Sequence, residues 1–266
     1  MRKIIDIVGF YLTRASRRTL LLTILFIFLI PVMLIVPFLG VPFTSITEQS
    51  LRQQLKQLGI EAENLPEKLA LSIAFIYTQA PMLVVLFSSL GCLTFISGTL
   101  AEDRLTGAIE IILAAPFSDR EIIMGSLISG IAYGFVVWLG SLSLFITTAS
   151  ALVLTYTGKT PILPDFYIVQ TFLLSPLMII LGGIIAVYTV FLAPRVVRAQ
   201  IPLTSNPLTM IALAPLLVYI IIISMPTGVD LHKVAIYFST VVAISVIALI
   251  SLAPRILCRR RLVSGM

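Results

Sequence analysis

The residues best placed to do chemistry in this chain sit in one charged loop, AEDRLTGAIEIILAAPFSDRE at positions 101–121, between two long apolar runs. The chemistry they offer is recognition rather than bond-making. Glu102, Asp103 and Glu110 supply negative charge, and Ile109, Ile112 and Leu113 can form one apolar face of a short helix. Gly107 removes a side chain where a partner could approach. Pro116 stops the helix, because it has no N–H to donate. Ser118 and Glu121 then make a Ser-x-x-Glu capping box that starts the next helix. A small helix with a defined start and stop, returned from a membrane, is patterned to dock something.

Motifs for covalent chemistry are missing. His232 is the single histidine, beside Lys233 at the end of an apolar run, and zinc sites need several ligands. There is no His-Glu-x-x-His and no Gly-x-Ser-x-Gly. Gly158, Lys159 and Thr160 match only the end of a phosphate-binding loop, without its earlier glycine. Cys92 falls inside an apolar run and Cys258 in a basic tail, so no structural disulfide is expected.

The elements that must position the loop are membrane spans. The chain is 59% hydrophobic and only 11% charged, against about a quarter charged in a soluble domain. Six stretches lack Asp, Glu, Lys and Arg: 19–47, 69–101, 122–158, 166–194, 199–229 and 234–254. Each can supply the roughly 20 apolar residues of a transmembrane helix. The run 122–158 has 37 residues, too long for one ordinary span and barely enough for two. Charge decides between them, because Lys and Arg favour the cytoplasmic side. With one span there and both termini inside, inner segments hold 13 of the 18 basic residues and outer segments 5. Splitting the run levels the count, so one tilted or protruding span is expected. The net charge of +6 then marks cytoplasmic anchors beside anionic lipid, not nucleic-acid binding.

The chain therefore reads as a single all-α polytopic membrane domain over 1–266. Residues 1–18 are expected to form an interfacial elbow helix, with Ile4, Val8, Tyr11 and Ala15 on one face and Arg14, Arg17 and Arg18 toward its end. The first span carries Pro31 and Pro37. Residues 41–68 make the largest external loop, with an apolar stripe of Leu51, Leu55 and Leu58. The second span is expected over 71–100, with Gln79 and Pro81 in its outer part. The third carries Gly125 and the small-xxx-small pair Gly130 and Gly134, expected to pack within the bundle rather than at a dimer seam. The fourth, near 166–192, holds Pro176 and Gly182–Gly183; the fifth, near 207–225, holds Pro215; the sixth covers 234–252. No span carries an ionised residue in its middle, which argues against proton or sodium coupling.

The segment GAIEIILAAPFSDREIIMG at 107–125 resembles the Gly-Thr-Leu-Glu…Pro…Ser…Glu-Ile…Gly-Lys signature of ABC type-2 permeases, the six-span subunits of ATP-binding-cassette exporters. Ala108 stands where the family has Thr, and Ser126 where it has Lys. The resemblance implies six transmembrane helices with an N-terminal elbow and a coupling helix within 101–120. It implies docking of that helix to a cytosolic ATP-binding-cassette ATPase through Glu102, Asp103, Gly107, Ile109, Glu110, Leu113 and Pro116. It further implies dimerisation with a second permease copy or a homologous permease, in a cell membrane, with both termini cytoplasmic. ATP and Mg would be bound in the partner ATPase, and the permease itself would bind no cofactor and catalyse no reaction. The residues alone leave open an ATP-independent carrier or channel for an uncharged solute, or a membrane-embedded assembly factor. Uncharged spans fit lipids, lipid-linked glycans, hydrophobic drugs or peptides as cargo.

Overall fold

A computed structural model describes residues 2–13, 17–39, 66–78, 80–105, 117–158, 165–192, 217–219, 221 and 230–256, and among them there is no strand. Helix α1 is Arg2–Thr13, and α2 is Arg17–Ile35, continued by a 3₁₀ turn at Val36–Leu39. Helices α3 (Glu67–Thr78) and α4 (Pro81–Leu105) follow, then the long α5 (Asp119–Thr157). Next come α6 (Asp165–Ile168), a π-helical segment (Val169–Leu174) and α7 (Ser175–Leu192), and then α8 (Leu231–Ile256). Among the described residues, five helical stretches are long and apolar enough to cross a membrane: Thr19–Leu39, Pro81–Leu100, Arg120–Thr157, Asp165–Tyr188 and His232–Leu252. The fifth expected span, near 207–225, lies outside the described residues except for 217–219 and 221.

The run at 122–158 is one helix, as its charge pattern requires. At 39 residues and 1.5 Å per residue it is about 58 Å long, nearly twice a bilayer's hydrocarbon core. It ends where Gly158 takes a left-handed conformation (φ 66°) and its N–H returns to Leu154 O at 2.9 Å, the αL stop that glycine adopts without a Cβ clash.

The second expected span is different. The run 71–100 is not one continuous helix: α3 ends at Thr78 and α4 begins at Pro81. Pro81 opens α4, because a residue with no N–H loses nothing at the first helical position. Ala80 links the two: its N–H donates to Phe75 O at 2.9 Å, and its carbonyl accepts from Leu83 N at 2.9 Å. At 12 residues, α3 rises about 18 Å and cannot cross the hydrocarbon alone.

Helices α4 and α5 form the centre of the bundle, with α1, α2 and α7 packed on them. Their axes approach closely because glycines line the seam. A Cβ on Gly91 would come within 2.8 Å of Val137, and one on Gly134 within 2.9 Å of Cys92 Cβ. Gly130 faces Ile96 and Cys92 across the same seam. The small-xxx-small pair therefore packs inside the chain, as expected. Around that seam lies one apolar cluster that includes Phe95, Ile96, Ile122 and Val137. A second, around Ile76, Phe87, Leu142 and Phe145, fills the Gly158 end of α5. A third, around Met82, Leu174, Met178 and Val242, joins α4 and α7 to α8. The flanking helices keep broad apolar faces exposed, with Leu21, Leu25 and Phe28 on α2 and Val241, Ile244 and Ile247 on α8. Lipid can cover such faces; water would not tolerate them.

Candidate functional site

The charged loop is carried on two firm stems. Helix α4 runs on through Leu105, and α5 begins at Asp119. The capping box forms as its sequence predicts. Ser118 is in extended geometry, its Oγ accepts from Glu121 N at 3.3 Å, and Glu121 Oε2 accepts from Ser118 N at 2.7 Å. Phe117 and Ile122, the residues just before the cap and four positions into the helix, join the same apolar cluster, the arrangement of a hydrophobic staple. Gly107, Ile109, Glu110, Leu113 and Pro116 lie outside the described residues, as does the side chain of Glu102. Asp103 is described, and it is buried at 2% exposure and engaged within the chain. The sequence groups it with charges offered to a partner. It lies in the last turn of α4, at the edge of the loop.

Helix α1 braces the foot of α5. Ile7 and Tyr11 are buried, while Ile4 and Val8 are half-buried, so the inward face is rotated slightly from the stripe the sequence predicts. Contact with another helix explains the rotation: Ile7 sits directly over Gly125, where a Cβ would lie 2.9 Å from Ile7 Cβ. Thus α1, the foot of α5 and the end of α4 share one apolar cluster. The expected stripe of Leu51, Leu55 and Leu58 lies outside the described residues.

A second constellation, missed by reading the spans as uniformly apolar, surrounds the π-helical segment. Its origin is Pro176. In the π pattern, Ser175 N donates to Gln170 O, so the next donor in line would be residue 176, for Thr171 O. Proline has no N–H to give. Trp138 Nε1 supplies the bond instead, donating to Thr171 O at 3.2 Å, with its ring edge-on to Phe172. The only tryptophan of the chain thereby ties α5 to the irregular turn of its neighbour, and π-bulges are frequent at functional sites. Gln170, Thr171 and Ser175 are all fully buried, and neither Gln170 Oε1 nor Nε2 has a hydrogen-bond partner. A buried polar group left unpaired costs about 1–3 kcal/mol. The sequence signal was there: Gln170–Thr171 and Ser175–Pro176 interrupt an apolar run.

Two further bonds link the spans. Tyr133 OH lies 2.5 Å from Thr23 Oγ1, whose own proton goes to Thr19 O at 2.9 Å, which leaves Tyr133 as donor. Tyr188 OH donates to Leu249 O, fastening α7 to α8.

No protein-family model, curated protein or solved structure matches this chain.

Proposed function

We propose that the chain is the transmembrane permease subunit of an ATP-binding-cassette transporter, working as an exporter and driven by separate cytosolic ATPase subunits. The observation that carries this reading is the charged loop 101–121, with its Gly…Glu…Pro…Ser…Glu pattern, placed between two membrane-spanning helices. The Ser118–Glu121 box and the Phe117–Ile122 staple support it, because a loop that transmits force needs a fixed boundary with its helix. The glycine-lined seam between α4 and α5 supports it further. Stems packed this closely move together when the loop between them is pushed.

On this reading 107–113 is the coupling helix, α1 is the elbow on the inner leaflet, and the sixth span comes from 207–225. Both termini face the cytosol. The permease pairs with a second copy or a homologous permease, and ATP and Mg act in the ATPase beneath. Gly107, Ile109, Glu110 and Leu113 form the docking face, Pro116 ends it, and Glu102 borders it. Asp103, in the last turn of α4, lies at the edge of the loop.

Purification of the intact chain from its native membrane in mild detergent tests the assignment. An ATPase subunit should co-purify, and the preparation should hydrolyse ATP in a Mg-dependent way. A chain that transports its cargo in vesicles without ATP or any ATPase would contradict it.

A further inference from the structure

Buried hydroxyls in this bundle usually satisfy themselves on their own helix. Thr23, Thr78, Ser88, Thr99 and Ser126 each donate to a carbonyl four residues earlier, at 2.7–2.9 Å. That is the expected behaviour of a hydroxyl in a dry helix. A group of exceptions gathers at one place. Ser141, Gln170 and Ser175 are fully buried and their side-chain polar atoms make no hydrogen bond among the described residues, while Tyr167 and Thr171, at most 1% exposed, have hydroxyls that face each other without a well-formed bond.

Their positions are fixed relative to one another. The Trp138 bond to Thr171 O and the Phe145–Tyr167 ring contact, with centroids 5.7 Å apart, set the register between α5 and the fourth span. Ser141 falls between Trp138 and Phe145 on that face of α5. Tyr167, Thr171 and Ser175 follow at four-residue intervals along the opposite wall, where i→i+5 bonding keeps such residues nearly in line. At the Gly158 end, Tyr167 also lines a cavity of about 80 Å³, with Ile76, Tyr77, Phe145, Ala149 and Ser150 among its walls. A water needs at least 10–15 Å³ on this measure, so the cavity has room for water.

We propose that the π-helical segment and the facing side of α5 form an intramembrane binding site for an uncharged hydroxylic ligand, entered from the cavity at Tyr167. Hydroxyls and a carboxamide both donate and accept, so the ligand must do both. Among the described residues no carboxylate, amine, guanidinium or imidazole lines the site, which disfavours a charged ligand in so apolar a setting. Water and the hydroxyl of a polyol share this chemistry. The proposal rests on span geometry and stands apart from the ATPase reading.

The test uses the full chain in lipid nanodiscs without ATPase, in a background with Cys92→Ala and Cys258→Ala. Ser141→Cys and Thr171→Cys are compared with Ser88→Cys, an equally buried position whose hydroxyl is satisfied by Val84 O. Silver ion is the probe, read as protection from maleimide after denaturation. Both site cysteines should react at least ten-fold faster than Ser88→Cys. Slowing by glycerol identifies a polyol-binding site, and fast labelling indifferent to glycerol identifies water; each supports the proposal. Equal rates at all three positions overturn it. Because cysteine variants can misassemble, the wild-type chain with ¹⁵N-labelled glutamine gives a second readout, with the Gln170 amide assigned by its loss in Gln170→Leu. An amide that receives no magnetisation from water or glycerol protons likewise overturns the proposal.

Discussion

Gly125→Ala should pry the N-terminal helix from the foot of the third span. The added Cβ would lie 2.9 Å from Ile7 Cβ and closer still to Ile7 Cγ2, whereas apolar carbons settle at about 3.5–4.0 Å. Ile7 Cβ is not the free end of a flexible chain, so α1 itself must retreat by roughly 1 Å. Overpacking of this kind costs about 1–3 kcal/mol. At 2–4 °C per kcal/mol, the scale for soluble domains of this size, the melting midpoint should fall by roughly 2–12 °C. Cys92 is fully buried, so a thiol-reactive dye in a Cys258→Ser background reports unfolding in nanodiscs. Ile7→Ala removes Cγ2 and leaves Cβ, so Gly125→Ala combined with Ile7→Ala should recover part of the loss, a coupling of about 1 kcal/mol. If Gly125→Ala melts with the wild type, or the two losses simply add, α1 does not rest on Gly125 and the braced foot is refuted.

Tyr133→Phe should destabilise the chain by about 0.6 kcal/mol and by no more than about 1.7, the range for interhelical hydrogen bonds in membranes. Adding Thr23→Val should cost little more, and additive losses in the same melting assay would show the pair is not bonded. For topology, an impermeant thiol reagent applied to intact cells should label a cysteine at Lys159 and spare cysteines at Ser16, Asp119 and Ser264. Labelling at Asp119 from outside would invert the arrangement.

Much of this fold is legible in the sequence because charge and proline act locally. The basic residues predict that 122–158 crosses once, and the helix is continuous. Ser118 and Glu121 predict a cap that forms atom for atom. Gly130 and Gly134 predict close packing, although their partners Ile96, Cys92 and Ile179 come from helices distant in sequence. The break at Pro81 is harder to read: it lies in the outer part of an apolar run, yet it opens a new helix, and hydropathy cannot tell one continuous span from two successive helices. The polar seam at Gln170 was hidden differently. Gln, Thr and Ser carry no charge and pass a hydropathy test, and only the tertiary pairing of Trp138 with Thr171 shows that they gather at one place. The burial of Asp103 follows from the same limit, since a loop-edge carboxylate looks exposed until its neighbours are known.

The central claim turns on the loop itself, and Glu110→Ala tests it most directly. Removing one member of a buried charged pair costs about 2–5 kcal/mol. In reconstituted complexes, Glu110→Ala should therefore lose the ATPase subunit or uncouple ATP turnover from transport, with membrane insertion intact. Gly107→Trp should do the same by blocking approach, and Lys159→Ala should do neither. If both loop variants match the wild type in subunit retention, ATP turnover and cargo-stimulated activity, the loop is a passive connection and the chain is not an ATPase-coupled permease.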